Sequence, residues 1–410
     1  MLNKKTIILG VTGGIAAYKA ADLASKLTQS GASVRVIMTR NAQEFITPLT
    51  FEAITSNAVV TDMFQTAAEH RINHVALAEI ADAILIAPAT ADIMAKIAAG
   101  IADDMLTTTV LATRAPVILA PSMHTQMYQN PVTQENESKL KARGFYIIPP
   151  ANGRLASGGF GPGRLPDTEV IIGHLSSVLG RSGDLAGFNL VVTAGGTQEP
   201  IDPVRVITNR SSGKMGYAIA EAARDRGARV ILISAPVSIP APSAVEIIRV
   251  ETAVQMKEAV QQAVSGADAL IMAAAVADFQ ARDVAENKIK KGKGNLILEL
   301  TSTPDILAEI NGDFLKIGFA AESQDLLENA RRKLLAKKLD LIVANNITEA
   351  NSGFGADTNK VTLIDKNGVI QNLPVLTKRE VADRILDQVV RLLNLKKSTN
   401  NPVRPESPPA

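Results

Sequence analysis

The 410-residue chain contains no cysteine and no tryptophan. The absence of cysteine excludes disulfide bonds, thiolate metal ligands and a cysteine nucleophile. The four histidines, at positions 70, 74, 124 and 174, form no HxxH or HExxH pattern. The sequence therefore predicts no dedicated zinc site.

Long apolar runs and a large excess of one charge are also missing. Lys plus Arg number 43 against 41 for Asp plus Glu, a net charge of +2, which gives no reason to expect nucleic acid or an acidic membrane as a partner. No stretch reaches the roughly 18 uninterrupted apolar residues of a membrane span. Met1–Gly10 lacks the features of a signal peptide. We therefore expect a cytoplasmic protein.

What the sequence does contain is a repeated alternation of short β-branched runs and longer alanine-rich stretches. This alternation is typical of a parallel sheet with helices on both faces, and the length allows two or three domains. The strands predicted in the first half are Thr6–Val11, Val34–Met38, Ala83–Ala87, Val117–Ala120 and Phe145–Ile148, with helices at Ala16–Gln29 and Ala91–Ile101. Those predicted in the second half are Leu190–Thr193, Val230–Ile233, Glu246–Val250, Ala269–Ala274, Lys316–Phe319 and Leu341–Ala344.

Glycine-rich segments separate the two sets of strands, which indicates a domain boundary near residues 180–188. We predict an α/β fold of two Rossmann-like parallel-sheet domains, at residues 1–186 and 187–395. Residues 396–410 are rich in Pro, Ser and Asn without apolar periodicity, and this composition predicts a disordered tail.

Gly13-Gly14 lies between the first strand and an alanine-rich helix. Glycines there can let a phosphate approach the helix N-terminus, although they are equally common for packing alone. The dinucleotide pattern G-x-G-x-x-G is absent, and the next strand ends in Met38-Thr39-Arg40 without an acidic residue. A hydroxyl at that position favours a mononucleotide over NAD.

Five ordered motifs stand out in residues 1–175. They are Gly13-Gly14, His74-Val75-Ala76-Leu77-Ala78, Ala87-Pro88-Ala89-Thr90-Ala91-Asp92, the segment 100–106, and the segment 120–128. Together they resemble the family of homo-oligomeric flavin-containing cysteine decarboxylases. The resemblance implies a flavodoxin-like domain with FMN at the carboxyl ends of the strands, in contact with Gly13, Thr39, Ala89 and Thr90. It also implies that His74 is the base assisting oxidation of the substrate thiol, after which carbon dioxide leaves to give an enethiolate.

Two positions depart from the family pattern. His124 stands where the family has an asparagine that holds the substrate carboxylate, and an imidazole can still donate to that carboxylate. Ser157 stands in the flap where the family has the cysteine that protonates the enethiol. A serine hydroxyl is a poor acid, so either another group or water protonates the intermediate, or the last step is slow. Decarboxylation itself is expected to survive.

The second half carries a specific segment, Thr193–Arg205, followed by Asn209–Gly216. Ser-Ser-Gly-Lys-Met-Gly at a helix start offers hydroxyls, amides and a positive dipole end to phosphate, but it lacks the spacing of a Walker motif. Further on, Lys288-Ile289-Lys290-Lys291 could follow a triphosphate or be a solvated charge cluster.

This ordered set, over residues 187–395, resembles the bacterial CTP-using phosphopantothenate–cysteine ligases, and the order of the two halves is that of the bacterial bifunctional enzymes. The resemblance implies that CTP activates 4′-phosphopantothenate as an acyl-cytidylate and that the amine of cysteine displaces CMP. Asn209 would stabilise the acyl-cytidylate, Arg205 would hold the pantothenate portion, and Lys288 would act on the triphosphate or on turnover of the cytidylate. Asp278 would contact the nucleotide or its Mg²⁺. The remaining nucleotide contacts would be Met272, Ala273, Ala274, Pro304, Asp305, Ile306, Leu307, Phe319, Lys333 and Lys337.

Three hypotheses therefore compete. The first is the bifunctional enzyme. The second is a ligase whose flavin half is impaired or gives an unreduced product, and the third is an NAD-dependent dehydrogenase or a flavin-storage protein. The resemblance also implies a homo-oligomer, with trimeric flavin domains and dimeric ligase domains that a dodecamer would satisfy.

Overall fold

The computed structural model describes residues 2–64, 74–291, 295–322, 325–346 and 355–400. The chain divides into two compact units, Met1–Gly180 and Arg181–Ala410, which we call the first and second unit. No helix within the described ranges is both long and apolar enough to cross a membrane.

The first unit is built on a five-stranded parallel sheet in the order β2-β1-β3-β4-β5. This is the strand order of flavodoxin-like folds. The strands are β1 (Thr6–Val11), β2 (Ser33–Met38), β3 (Ala83–Ala89), β4 (Val117–Pro121) and β5 (Tyr146–Ile147), followed by a hairpin of β6 (Ala151–Arg154) and β7 (Phe160–Arg164). The α-helices are α1 (Lys19–Gln29), α2 (Pro48–Thr55), α3 (His74–Ile80), α4 (Ala91–Ala99), α5 (Met105–Ala112), α6 (Thr125–Tyr128), α7 (Pro131–Ala142) and α8 (Thr168–Leu179), and two short 3-10 helices are Ile15–Tyr18 and Arg40–Glu44.

Both faces of this sheet are buried, which explains why its strands are continuous apolar runs. Along β1, the alternation of side chains sends Ile7 and Leu9 into one core and Ile8 into the other, and all three are fully buried. Leu23 and Leu27 of α1 lie in the same core as Ile7.

The second unit is built on an eight-stranded sheet in the order β12-β11-β8-β13-β16-β17-β19-β20. Its strands and the short pairs beside it are β8 (Asn189–Ala194), β9 (Gln198–Pro200), β10 (Val206–Thr208), β11 (Arg229–Ser234), β12 (Glu246–Arg249), β13 (Ala269–Met272), β14 (Phe279–Ala281), β15 (Leu300–Ser302), β16 (Leu315–Glu322), β17 (Leu341–Asn346), β18 (Thr358–Asn359), β19 (Val361–Asp365), β20 (Ile370–Asn372) and β21 (Leu376–Thr377). The helices are α9 (Lys214–Asp225), α10 (Ala253–Ala263), α11 (Ile306–Glu309), α12 (Leu326–Ala336) and α13 (Lys378–Asn400).

The six parallel strands of this second sheet follow the Rossmann order, in which the third, second and first strands along the chain precede the fourth, fifth and sixth. Strands β19 and β20 extend the sheet in antiparallel fashion. Leu190 and Val192 of β8 lie in one core and Val191 lies in the other. Thus the apolar alternation again places a core on each face.

The predicted α/β class is confirmed, and each predicted sheet strand is present. The prediction missed the antiparallel strands β19 and β20 and the short strand pairs. The prediction of a disordered tail was wrong for residues 396–400, because α13 continues to Asn400. There Lys396 pairs with Asp313 at 2.5 Å, and the Lys397 ammonium lies 3.8 Å from the centre of the Phe188 ring. Residues 401–410 lie outside the described ranges.

Candidate active sites

The first unit has a cavity of about 1040 Å³ at the carboxyl ends of its strands. It lies where the strand order reverses between β1 and β3, the position at which doubly wound sheets bind ligands. Five of the residues predicted from the sequence line this cavity, namely Gly13, Thr39, Thr90, His124 and Ser157. The structure therefore brings together segments that are widely separated in the chain.

Threonine side chains tie the ends of β1 and β3 together at the cavity floor. The Thr12 hydroxyl donates to the Pro88 carbonyl at 2.7 Å and accepts from the Thr90 backbone N–H at 3.2 Å. The Thr90 hydroxyl accepts from the Ile93 N–H at 3.4 Å and so caps α4. The positive end of α4 consequently faces the cavity, where an anion would be stabilised.

The glycine at position 13 is required by close packing. A Cβ added to Gly13 would lie 2.4 Å from the Cβ of Asn41. The loop after β1 can therefore lie against the loop after β2 only without a side chain at that position. This explains the glycine without reference to a ligand, although both loops line the cavity.

The lining of the first cavity is positively charged. Its described residues include five cationic side chains and two carboxylates, which are Lys19, Arg40, Lys96, Arg154, Arg164, Asp92 and Asp104. Burial lowers the pKa of Lys96, but pairing with Asp103 at 3.2 Å and with Asp92 outweighs burial and raises the pKa overall. Such a lining suits an anionic ligand.

The hairpin β6–β7 carries Ser157 to the cavity. Leu155 accepts from the Gly158 N–H at 2.9 Å, and the Leu155 N–H donates to the Gly159 carbonyl at 2.8 Å. These bonds form a tight turn with Ser157 at its exposed tip. The hairpin is fastened to the segment after β4 by the Met123 N–H, which donates to the Gly163 carbonyl at 2.9 Å.

His124 lies at the N-terminus of α6 beside this hairpin. Its Nδ1 accepts from the Gln126 N–H at 3.3 Å, which leaves Nε2 as the nitrogen available to a ligand. In the neutral ring the proton therefore belongs to Nε2, so the side chain can donate a hydrogen bond, as the predicted carboxylate contact requires.

Two predicted residues of the first unit do not line the cavity. Ala89 is fully buried in β3, where its carbonyl accepts from the Ser122 N–H at 3.0 Å. Ala89 thus positions the segment after β4 and does not contact the cavity directly. His74 is half-buried at the first position of α3, outside the cavity lining.

The second unit has a cavity of about 660 Å³, also at the carboxyl ends of the strands. Its lining runs from the start of α9, the helix after β8, across the carboxyl ends of β13, β16 and β17. It therefore includes the point between β8 and β13 where the Rossmann strand order reverses. The predicted residues that line it are Asn209, Met272, Ala273, Ala274, Asp278, Pro304, Asp305, Ile306, Leu307, Phe319, Lys333 and Lys337. Here too the described lining is cationic, with five positive side chains (Arg210, Lys214, Lys333, Lys337 and Lys378) and two carboxylates.

Helix α9 brings the Ser211–Gly216 segment to this cavity. A Cβ added to Gly216 would lie 2.6 Å from the Cβ of Ala194 and 2.7 Å from the Thr193 carbonyl oxygen. The glycine therefore allows α9 to lie directly on β8. As a result, the positive end of α9, which has no acidic residue in its first turn, faces the cavity.

Asn209 is anchored to the loop after β13. Its side-chain amide donates to the Val276 carbonyl at 2.9 Å and to the Ala275 carbonyl at 3.4 Å. The side-chain oxygen of Asn209 is the group left to meet a ligand or a water molecule. On the opposite wall, Lys337 pairs with Asp305 at 3.0 Å and Lys333 donates to the Phe319 carbonyl at 2.8 Å.

Arg205 and Lys288 do not line this cavity. The Arg205 guanidinium binds the Asp202 carboxylate and the Ile289 carbonyl, each at 3.0 Å. Asp202 also accepts from the Ile289 N–H at 3.1 Å. This network anchors the residue next to Lys288, whose own side chain is exposed.

The sequence interpretation missed several lining residues. Lys214 lies in the motif at the start of α9 that was considered for phosphate, so a signal for it existed. Arg210 is next to Asn209 in the chain. Asn345, Asn359 and Lys378 also line the cavity, but no local motif marks them.

Comparisons with known proteins identify both units. A family model described as flavoprotein matches residues 1–180, and one described as the C-terminal domain of DNA/pantothenate metabolism flavoprotein matches residues 185–393. A crystal structure of the C-terminal domain of coenzyme A biosynthesis bifunctional protein CoaBC is 42% identical and covers 52% of this chain and 99% of its own, with a TM-score of 0.45.

Two curated relatives match nearly the whole chain, and both are named coenzyme A biosynthesis bifunctional protein CoaBC. The protein of Bacillus subtilis is 48% identical over 398 residues, covering 96% of this chain and 98% of its own. The protein of Escherichia coli K12 is 43% identical over 402 residues, covering 95% of this chain and 97% of its own. The chain therefore belongs to the family of bifunctional enzymes of coenzyme A biosynthesis.

Proposed function

We propose that this chain converts 4′-phosphopantothenate to 4′-phosphopantetheine in two steps, with residues 187–395 as the ligase and residues 1–186 as the decarboxylase. The observation that carries the proposal is the same in both units. A cationic cavity lies at the point where the strand order reverses and gathers residues of the predicted motifs. Both reactions act on phosphorylated, carboxylated substrates, which suit such linings.

In the ligase step, the carboxylate of 4′-phosphopantothenate attacks the α-phosphorus of CTP and pyrophosphate leaves. The amine of cysteine then attacks the acyl carbon, CMP leaves, and an amide forms. Asn209 would hold the acyl-cytidylate through its side-chain oxygen, or through its side-chain N–H groups if these leave the Ala275 and Val276 carbonyls. Lys333 and Lys337 would contact the nucleotide. Arg205 would act by anchoring the loop that carries Lys288.

Mg²⁺ would accompany the triphosphate. No cluster of three metal-ligating side chains occurs among the residues that the structure describes. This fits an ion held mainly by phosphate oxygens and water, with Asp278 at the cavity wall as one protein ligand.

In the decarboxylase step, FMN would supply the oxidation of the cysteine thiol. The residues of the first cavity fit such a group, because the start of α4 and the basic side chains can hold its phosphate. His124 would donate from Nε2 to the substrate carboxylate. Ser157 would close over the substrate without supplying the final proton, which comes from water or from another group.

His74, the proposed base, would reach a cavity of a neighbouring copy, since it lies outside the lining of the cavity in its own unit. Exposed apolar side chains on each unit are available for such assembly. Leu49 is 70% exposed in the first unit, and Ile297 is 85% exposed in the second. We accordingly propose trimeric contacts between first units and dimeric contacts between second units.

Two experiments test this proposal. Heat-released cofactor from the purified protein should have the mass of FMN, and FAD or no flavin would contradict the decarboxylase. With 4′-phosphopantothenate, cysteine and Mg²⁺, the protein should release pyrophosphate from CTP and form the amide. Equal turnover with ATP would contradict the nucleotide assignment. The comparisons do not support a ligase with an impaired flavin half, and the NAD hypothesis does not explain the Asn209–Gly216 motif together with Lys288–Lys291.

A further inference from the structure

Two lysines on one wall of the ligase cavity have no individual role in the predictions above, although Lys214 belongs to the motif considered for phosphate. Lys214 is the first residue of α9, and Lys378 is the first residue of α13. Both line the cavity together with Asn209. They are far apart in the chain. The strand pair β18–β21, with Thr358 opposite Thr377, places Lys378 beside the segment 355–357, and Lys214 of α9 binds that same segment through Asp357.

Both ammonium groups bind the short segment that leads into β18. The Lys214 ammonium pairs with the Asp357 carboxylate at 2.6 Å and donates to the Gly355 carbonyl at 3.0 Å. The Lys378 ammonium donates to the Ala356 carbonyl. The Lys378 backbone N–H also donates to the Asp357 carbonyl at 2.9 Å.

Lys378 lies close enough to the ion pair of Lys214 and Asp357 for both charges to act on it. Lys378 is only 8% exposed, and its burial followed by the charge of Lys214 lowers its pKa. The Lys214 ammonium lowers the pKa of Asp357 through their hydrogen bond. The Asp357 side chain that pairs with Lys214 is 88% exposed. An exposed ion pair is weak, so a stronger anion can displace Asp357 from Lys214 at small cost.

The surroundings indicate which anion this is. The start of α9 adds its positive dipole end to the same wall, next to the hydroxyls of Ser211 and Ser212. Ammonium groups, hydroxyls and a helix N-terminus together are the groups that bind phosphate.

We propose that Lys214 and Lys378 bind a phosphate group of a ligase substrate, and that Asp357 occupies Lys214 in place of that phosphate until the substrate binds. The proposal deepens the proposed ligase function and rests on it. The phosphate can come from the triphosphate of CTP or from the monophosphate of 4′-phosphopantothenate. In both cases the two lysines increase affinity, whereas Asp357 opposes binding.

The test is calorimetric binding of CTP with Mg²⁺, and separately of 4′-phosphopantothenate, to the full-length protein and three variants. Lys214→Met and Lys378→Met keep the apolar stem and remove the charge. Each should weaken one of the two ligands by roughly tenfold or more, the range for a lost charge-assisted hydrogen bond, and the ligand affected identifies the source of the phosphate. Asp357→Asn should instead tighten that ligand by about twofold to fivefold, the range of an exposed ion pair.

The opposite signs make the outcome decisive. The Lys214 side chain is partly exposed, so the Lys214→Met substitution should be tolerated. If this variant binds both ligands with unchanged affinity, the proposal is overturned, even if Lys378→Met fails to fold. Unchanged or weaker binding in Asp357→Asn overturns the role of Asp357. Binding is measured without turnover, so a protein that binds CTP but forms no amide would contradict the proposed function alone. A wild-type protein that binds neither ligand would contradict both.

Discussion

The substitution Asn209→Asp tests the ligase site with the smallest change of shape. The Asn209 amide donates at 2.9 Å to the Val276 carbonyl and at 3.4 Å to the Ala275 carbonyl. An aspartate has no donor at neutral pH, so its carboxylate would face two carbonyl oxygens. It would also place a negative charge where an anionic substrate is expected.

The expected loss follows from these contacts. One neutral hydrogen bond contributes about 0.5–1.5 kcal/mol net, and the new repulsion adds to its loss. A total of about 1–2 kcal/mol corresponds to a decrease of roughly fivefold to thirtyfold. We expect that decrease in the ligase kcat/KM, because Asn209 would contact the activated intermediate.

The assay is chromatographic detection of CMP and the amide product, with Asn367→Asp as the matched control. Asn367 is exposed in the turn between β19 and β20 and does not line the cavity, so the same change of charge there should leave turnover near the wild-type rate. Decarboxylation of supplied 4′-phosphopantothenoylcysteine should be unchanged in both variants. An Asn209→Asp ligase within about twofold of the control would refute the reasoning, since that difference is below about 0.5 kcal/mol.

Three further predictions address the rest of the molecule. His74→Asn should abolish carbon dioxide release, measured on supplied 4′-phosphopantothenoylcysteine, while pyrophosphate release by the ligase continues; retained decarboxylation would remove His74 from the mechanism. Gly216→Ala should lower the free energy of unfolding of the second unit in urea by about 1 kcal/mol. The clash of the new methyl group with Ala194 costs about 1–3 kcal/mol, which outweighs the helix-propensity gain of up to about 1 kcal/mol. A more stable variant would contradict this packing. Burial raises the pKa of Asp365, but Arg391 at 2.6 Å and two backbone N–H groups outweigh burial and hold it below 3.8. The carboxylate thus stabilises the fold above pH 3.8, and this contribution is lost as the pH falls through the lower folded-state pKa. The urea midpoints of wild type and Asp365→Asn should therefore differ at pH 5 and converge in stronger acid. A difference between the two midpoints that stays constant with pH would contradict this prediction.

The central strands could be predicted because both faces of each sheet are buried, which makes these strands unbroken apolar runs such as Ile7–Leu9. Strand β20 was missed for the opposite reason, because it lies at the edge of the sheet and Ile370–Asn372 is mostly exposed. Strand β19 lies between β17 and β20 and is buried throughout, so the apolar pattern of Val361–Asp365 was present in the sequence and was overlooked. The end of α13 was missed because its contacts with Asp313 and Phe188 are tertiary.

The candidate sites could be predicted where a motif follows a strand of the parallel sheet, as Thr90 after β3 and Ala273 after β13 show. Parallel strands bring their carboxyl ends to one edge, so such motifs meet in space even when they are far apart in the sequence. Sequence could not identify Lys378, because it reaches the cavity only through the pairing of β18 with β21. Nor could it show that Ala89 lies behind the cavity wall or that Arg205 is bound to Asp202 and Ile289.

The most direct test of the whole account is a single reaction followed by mass spectrometry. The purified protein would be given 4′-phosphopantothenate, cysteine, CTP and Mg²⁺ without air. The account predicts that 4′-phosphopantetheine accumulates, which requires both cavities to act and shows that Ser157 does not prevent the final reduction. Accumulation of 4′-phosphopantothenoylcysteine or of the enethiol would contradict the proposed decarboxylase half, and the absence of any amide product would contradict the ligase half.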